Sequence, residues 1–82
     1  MALEYNIKTF LTEGTDKRIG FMVKTDHGES FAIDRLIPIV DGKTAEQYTQ
    51  EALAAAQDEI DEWASDSGSV GKKFNPSTGS FV

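Results

Sequence analysis

The first residues with chemical potential are the glycines and lysines of GSVGKKFNPSTG, residues 68–79, which raise the question of phosphate binding. A P-loop has the pattern G-x-x-x-x-G-K-[ST] between a strand and a helix, so that backbone amides surround the anion. Here Gly68 and Gly71 are too close together, and Lys73 occupies the position of the hydroxyl residue that would hold magnesium. The segment also follows the predicted helix and precedes no helical pattern. We interpret it as a polar tail that binds no nucleotide.

His27 is the only histidine, and Asp26 and Glu29 flank it. A histidine with carboxylates can act in acid–base catalysis or bind a metal. However, Asp-His-Gly is an ordinary turn sequence, and one histidine without a second strong ligand binds transition metals poorly. No G-x-S-x-G nucleophile motif is present either. We predict a structural turn at His27.

The acidic run DEIDE at 58–62, followed by Asp66, could suggest calcium. An EF-hand loop needs Asp or Asn at alternating positions before its glycine. Counting back from Gly68 places Trp63, Ser65 and Ser67 at those positions, so the motif fails. We therefore predict no catalytic residue, no cofactor, no metal and no enzyme activity.

Charge is distributed unevenly along the 82 residues, whose net charge is −6. Residues 44–68 contain seven acids and no base, whereas residues 69–82 contain two lysines and no acid. Binding to nucleic acid through counterion release needs clustered Lys and Arg. We expect no direct nucleic-acid binding.

The acidic segment 44–68 also suggests an alternative function: a decoy or inhibitor whose acidic helix surface binds a basic, nucleic-acid-binding protein. The residues predicted to form this acidic binding surface are Glu51, Asp58, Asp61 and Glu62.

The first half of the chain alternates apolar and polar residues, as half-buried strands do. The alternation predicts strands at about 2–12, 18–25 and 29–40, with turns at residues 13–17 and 25–29. Such short connections allow only antiparallel neighbours. Pro38 cannot donate to a ladder, so the end of the third strand is an edge, a bulge or an extended crossover.

The pattern changes to a helix at about 44–65. Thr44-Ala45-Glu46-Gln47 matches the S/T-x-x-E/Q capping box, and neither Gly nor Pro interrupts the following segment. Gly68 is a plausible end signal. The sequence thus predicts a single α+β domain over 1–68: a three-stranded, or with the tail four-stranded, antiparallel meander with one amphipathic helix packed on one face. The Gly/Ser-rich tail, 69–82, forms a short hairpin, adds an edge strand or stays mobile.

The alternation also predicts apolar residues on the back face, the sheet face opposite the helix. If Ile7, Phe21 and Phe31 face the helix, the residues assigned to the back face are Phe10, Met22, Ala32, Leu36 and Val40. So much apolar surface needs a cover, which the tail, a second copy or another protein could supply. We therefore expect a non-catalytic protein-interaction or accessory module that binds an unknown protein or forms a homodimer through its sheet, with Phe10, Met22, Leu36 and Val40 as the partner surface.

Composition supports one expectation about location. The sequence contains no cysteine, which excludes disulfides and fits a reducing compartment. Its beginning lacks the pattern of a secretory signal, and no stretch approaches the ~18 apolar residues of a membrane span. We expect a cytoplasmic protein that does not bind membranes.

Overall fold

The computed structural model describes residues 2–82. Its main elements are strand β1 (Leu3–Glu13), strand β2 (Asp16–Thr25), strand β3 (Ser30–Pro38) and helix α1 (Ala45–Ser67). Two short strands follow, β4 (Phe74–Asn75) and β5 (Ser80–Phe81).

The sheet is an antiparallel meander in the order β1-β2-β3. Both connections are tight turns with a glycine at positive φ, Gly14 at 63° and Gly28 at 88°, a conformation that costs glycine little. The predicted class, a three-stranded antiparallel sheet followed by one helix, is confirmed. The tail adds no strand to this sheet, because β4 and β5 pair only with each other.

The start of α1 follows from its capping box. The Thr44 hydroxyl accepts a hydrogen bond from the Gln47 amide at 3.2 Å, and the Gln47 side chain accepts from the Thr44 amide at 2.8 Å. The helix ends at Ser67, and Gly68 stays right-handed, with φ −63°. The left-handed glycine comes three residues later, at Gly71, with φ 88°. Among residues 2–82, no helix has the length and apolarity that a membrane span requires.

The core forms between α1 and the strands β2 and β3. Alternation on the strands and three- to four-residue spacing on the helix give both surfaces an apolar side that packing removes from water. The buried apolar residues are Ile19, Phe21, Val23, Ile33, Ile37, Tyr48, Ala52, Ala56 and Ile60.

A β-bulge interrupts β1. Ile7 lies opposite Phe21 and Thr9 lies opposite Gly20, so Lys8 is an extra residue in the strand. Gly20 is buried beside the bulge, and a β-carbon added there would lie 3.0 Å from the Thr9 β-carbon. The bulge changes which side chains share a face, because every residue after it is displaced by one position.

The tail forms a hairpin of its own. The Asn75 side chain accepts from the Ser77 amide at 2.9 Å, and Gly79 has φ 68°. The Phe74 and Phe81 rings pack edge to face, with their centroids 6.1 Å apart. Both rings stay exposed.

Candidate interaction surface

The helix lies over β2 and β3 and leaves most of the helix-side face of β1 uncovered. Tyr5, Ile7 and Phe10 lie directly opposite Val23, Phe21 and Ile19. The β2 residues are 0–2% exposed, whereas their β1 partners are 41%, 50% and 39% exposed. We call the side chains of Tyr5, Ile7 and Phe10 the open patch.

Contacts at the outer side of β3 hold the helix in this position. The Phe31 and Trp63 rings stack with their centroids 5.3 Å apart. Arg35, which interrupts the apolar side of β3, donates to Glu59 of the helix. The Ser67 hydroxyl at the helix end donates to the Glu29 carboxylate. The first two contacts anchor α1 to the strand farthest from β1, and the third anchors it to the turn before that strand.

The predicted position of Phe10 on the back face is wrong. Its opposite residue, Ile19, is buried in the core, and the Phe10 ring packs edge to face on Tyr48 of the helix with centroids 6.5 Å apart. Without the bulge, Ile7 and Phe10 would lie on opposite faces, since they are three residues apart. The extra residue Lys8 brings both to the helix side.

The predicted position of Val40 is also wrong. Val40 lies beyond β3, where the Tyr48 hydroxyl bonds to both its amide and its carbonyl at 3.0 Å. Two backbone hydrogen bonds fix it beside the first turns of α1. It therefore cannot share a surface with Met22 and Leu36, which do lie on the back face.

The back face is mixed rather than apolar. Leu36 lies opposite Arg18, and Met22 lies opposite Asn6 and Ala32. Arg18 donates to both carboxylate oxygens of Glu13, at 2.5 and 3.0 Å, and is 3.2 Å from Asp34.

The ion cluster on this face has a clear electrostatic consequence. Hydrogen bonding from Arg18 lowers the pKa of Glu13, and the same bond raises the pKa of Arg18. Both groups therefore keep their charge near neutral pH. A charged cluster makes the back face a poor candidate for an apolar docking surface.

The open patch borders a depression of about 460 Å³ between β1 and the start of the helix. Ile7 and Phe10 form its strand side, and Ala45, Glu46 and Thr49 belong to its helix side. An apolar floor with a polar rim is the usual composition of a protein-binding surface.

The predicted acidic residues lie exposed along α1, and two of them already have partners in the chain. Glu51 is 2.5 Å from Lys43, and Asp61 accepts from Gln57 at 2.8 Å. Asp58 and Glu62 are exposed on the same helix. Lys43 neutralises Glu51, whereas the uncharged Gln57 amide leaves the charge of Asp61 in place, so the helix surface remains acidic.

His27 lies in the turn between β2 and β3, with its side chain 73% exposed and its Nε2 3.6 Å from Asp26. Within the described residues, no three His, Asp or Glu side chains come close enough together to hold a metal ion.

Tyr5 and Ile7 were not predicted as surface residues, and one signal could have found them. An α-helix is about 10 Å wide with its side chains, and strands lie about 4.8 Å apart. One helix therefore covers about two strands, and one of three is left open.

Comparison of the chain with protein-family models, with curated proteins and with solved structures gives no match.

Proposed function

We propose that the protein is a small, non-catalytic interaction module that binds another protein chain through the open patch. The observation that carries the proposal is the contrast in exposure across one pair of strands. Tyr5 and Ile7 belong to the face that forms the core, yet the helix does not cover them, and Phe10, whose ring packs on Tyr48 of the helix, is still 39% exposed. Covering them would extend the existing core by three side chains and remove more apolar area from water.

The absence of a workable catalytic set in the sequence supports the non-catalytic part of this proposal. The chain has one histidine and no cysteine, and none of its segments matches a nucleotide, calcium or hydrolase motif. Binding is the function that an uncovered apolar surface supports best.

Site-specific photo-cross-linking in the native cell tests the proposal. A photoreactive phenylalanine analogue replaces Ile7 in the open patch, Leu36 on the back face, or Asp58 on the acidic helix surface. We expect a protein adduct from position 7 and none from position 36, because only the first position touches the proposed partner. Leu36 is a matched control, since it is also an exposed apolar strand residue.

The other outcomes of this experiment are equally informative. An adduct at position 58 without one at position 7 would overturn the proposal and support the acidic-decoy alternative. No adduct at position 7, with the variant folded by circular dichroism, would also overturn it.

A further inference from the structure

The free edge of β1 adds a second feature to the open patch. In the order β1-β2-β3, one side of β1 has no neighbouring strand in the sheet of residues 2–82. Unpaired amides and carbonyls along such an edge can accept a strand from another chain. Resting on the proposed function, we propose that the partner is a second copy of this chain, which pairs its β1 antiparallel to the first in a register centred on Asn6.

In this register, the β1 side chains of one copy lie opposite complementary side chains of the other copy. With Asn6 opposite Asn6 of the other copy, Glu4 lies opposite Lys8, and Tyr5 lies opposite Ile7. Two-fold symmetry repeats each pair, so the dimer gains two opposite-charge pairs and two apolar pairs. Cross-strand pairs of these kinds stabilise antiparallel sheets. Moving the centre by one residue in either direction places Glu4 opposite an uncharged residue.

The charges of this register are available. Lys24 of β2 lies opposite Glu4, but in the described part of the chain neither Glu4 nor Lys8 takes part in an ion pair. Glu4 belongs to the back-face residues of β1, and Lys8 borders a depression around Gly20 on that same face. The two charges of a cross-strand pair would therefore lie on one side of the combined sheet.

The bulge sets the length of the pairing. The regular part of β1 before the bulge runs from Leu3 to Ile7, and Lys8 is the extra residue. A bulge ends regular pairing and protects the rest of an edge from indiscriminate association. In the register centred on Asn6, pairing therefore extends from Glu4 to Lys8, the residue at which the bulge interrupts the strand. Such a short segment buries less than the ~800 Å² per partner of a stable interface, so the dimer is weak and depends on concentration.

The position of the helix leaves room for a second copy. Because α1 lies over β2 and β3, its axis is about two strand spacings from the proposed two-fold axis. At ~4.8 Å per spacing, the two helix axes are about 19 Å apart, which exceeds the ~10 Å helix diameter. Pairing would give a six-stranded sheet with both helices on one side and a joint apolar floor formed by the two open patches.

Charge reversal with sedimentation equilibrium of the full 82-residue chain tests this inference. We expect the mass to rise from 9.0 kDa toward twice that value between micromolar and millimolar concentration. Glu4→Lys alone and Lys8→Glu alone should each weaken association about tenfold, because each turns two attractive pairs into repulsive ones. The double variant restores the pairs and should dimerise like the wild type.

The variants separate specific pairing from repulsion between acidic chains. If net charge governed association, Glu4→Lys would strengthen it, because that substitution makes the chain less negative. A strengthened Glu4→Lys dimer, a double variant that stays dissociated, or a wild-type chain that stays monomeric would each overturn the inference. A monomeric wild type that still gives an adduct with a different protein from position 7 would overturn the dimer alone and leave the proposed function standing.

Discussion

Replacing Phe21 with alanine is expected to unfold the protein at room temperature. Phe21 is 2% exposed and lies between Ile7 of β1 and Ile33 of β3, at the centre of the sheet. Truncating a buried phenylalanine to alanine lowers the free energy of unfolding by about 3–5 kcal/mol. A single core in a chain of this size gives a total free energy of unfolding of only roughly 3–5 kcal/mol. Urea unfolding followed by circular dichroism should therefore show no folded baseline for Phe21→Ala.

Phe74→Ala is the matched control for this substitution. Phe74 is exposed in the tail hairpin and packs edge to face on Phe81. We expect its urea midpoint to stay close to that of the wild type, since exposed positions usually change stability by no more than ~0.5 kcal/mol. A Phe21→Ala protein that unfolds cooperatively at the wild-type midpoint would contradict the described core.

The second large effect is expected at the contact between helix and sheet. Ala56 is fully buried against the strands, so the helix approaches the sheet closely at this position. Ala56→Leu inserts three carbon atoms at a position with no exposed surface, and overpacking of a core lowers the free energy of unfolding by about 1–3 kcal/mol. The expected result is a clear fall in the urea midpoint.

Ala55→Leu provides the control one position earlier. Ala55 lies on the same helix but is exposed, and leucine is a good helix former. Its stability should match that of the wild type. Equal destabilisation by the two substitutions would mean that α1 does not pack on the sheet through Ala56.

The fold class could be predicted because local signals agree with one another. The period-two pattern marked the strands, Gly14 and Gly28 marked the turns, and the Thr44–Gln47 box marked the helix start. Each of these features acts within a few residues of the chain, so the sequence alone carries it. The third strand was predicted to residue 40, but it ends at Pro38, because Pro38 already lies opposite Asp16, the first residue of β2.

The surface could not be predicted because it depends on one extra residue. Nothing in the segment Ile7-Lys8-Thr9 distinguishes a bulged strand from a regular one. The bulge forms where β1 passes Gly20 of the neighbouring strand, which is a long-range feature. A displacement of one residue moves a side chain to the other face, and this is how Phe10 came to be predicted on the wrong side.

The central claim is that the uncovered side of β1 is the contact surface, and amide spectra of the ¹⁵N-labelled chain test it most directly. Spectra are recorded from dilute to concentrated solution, so that association appears as shifts of the residues involved. We predict shifts within residues 4–8, with residues 30–38 of β3 and the tail hairpin unchanged. Shifts confined to β3 or to the tail hairpin would contradict the claim, whereas no shift at any concentration would overturn the second copy as the partner.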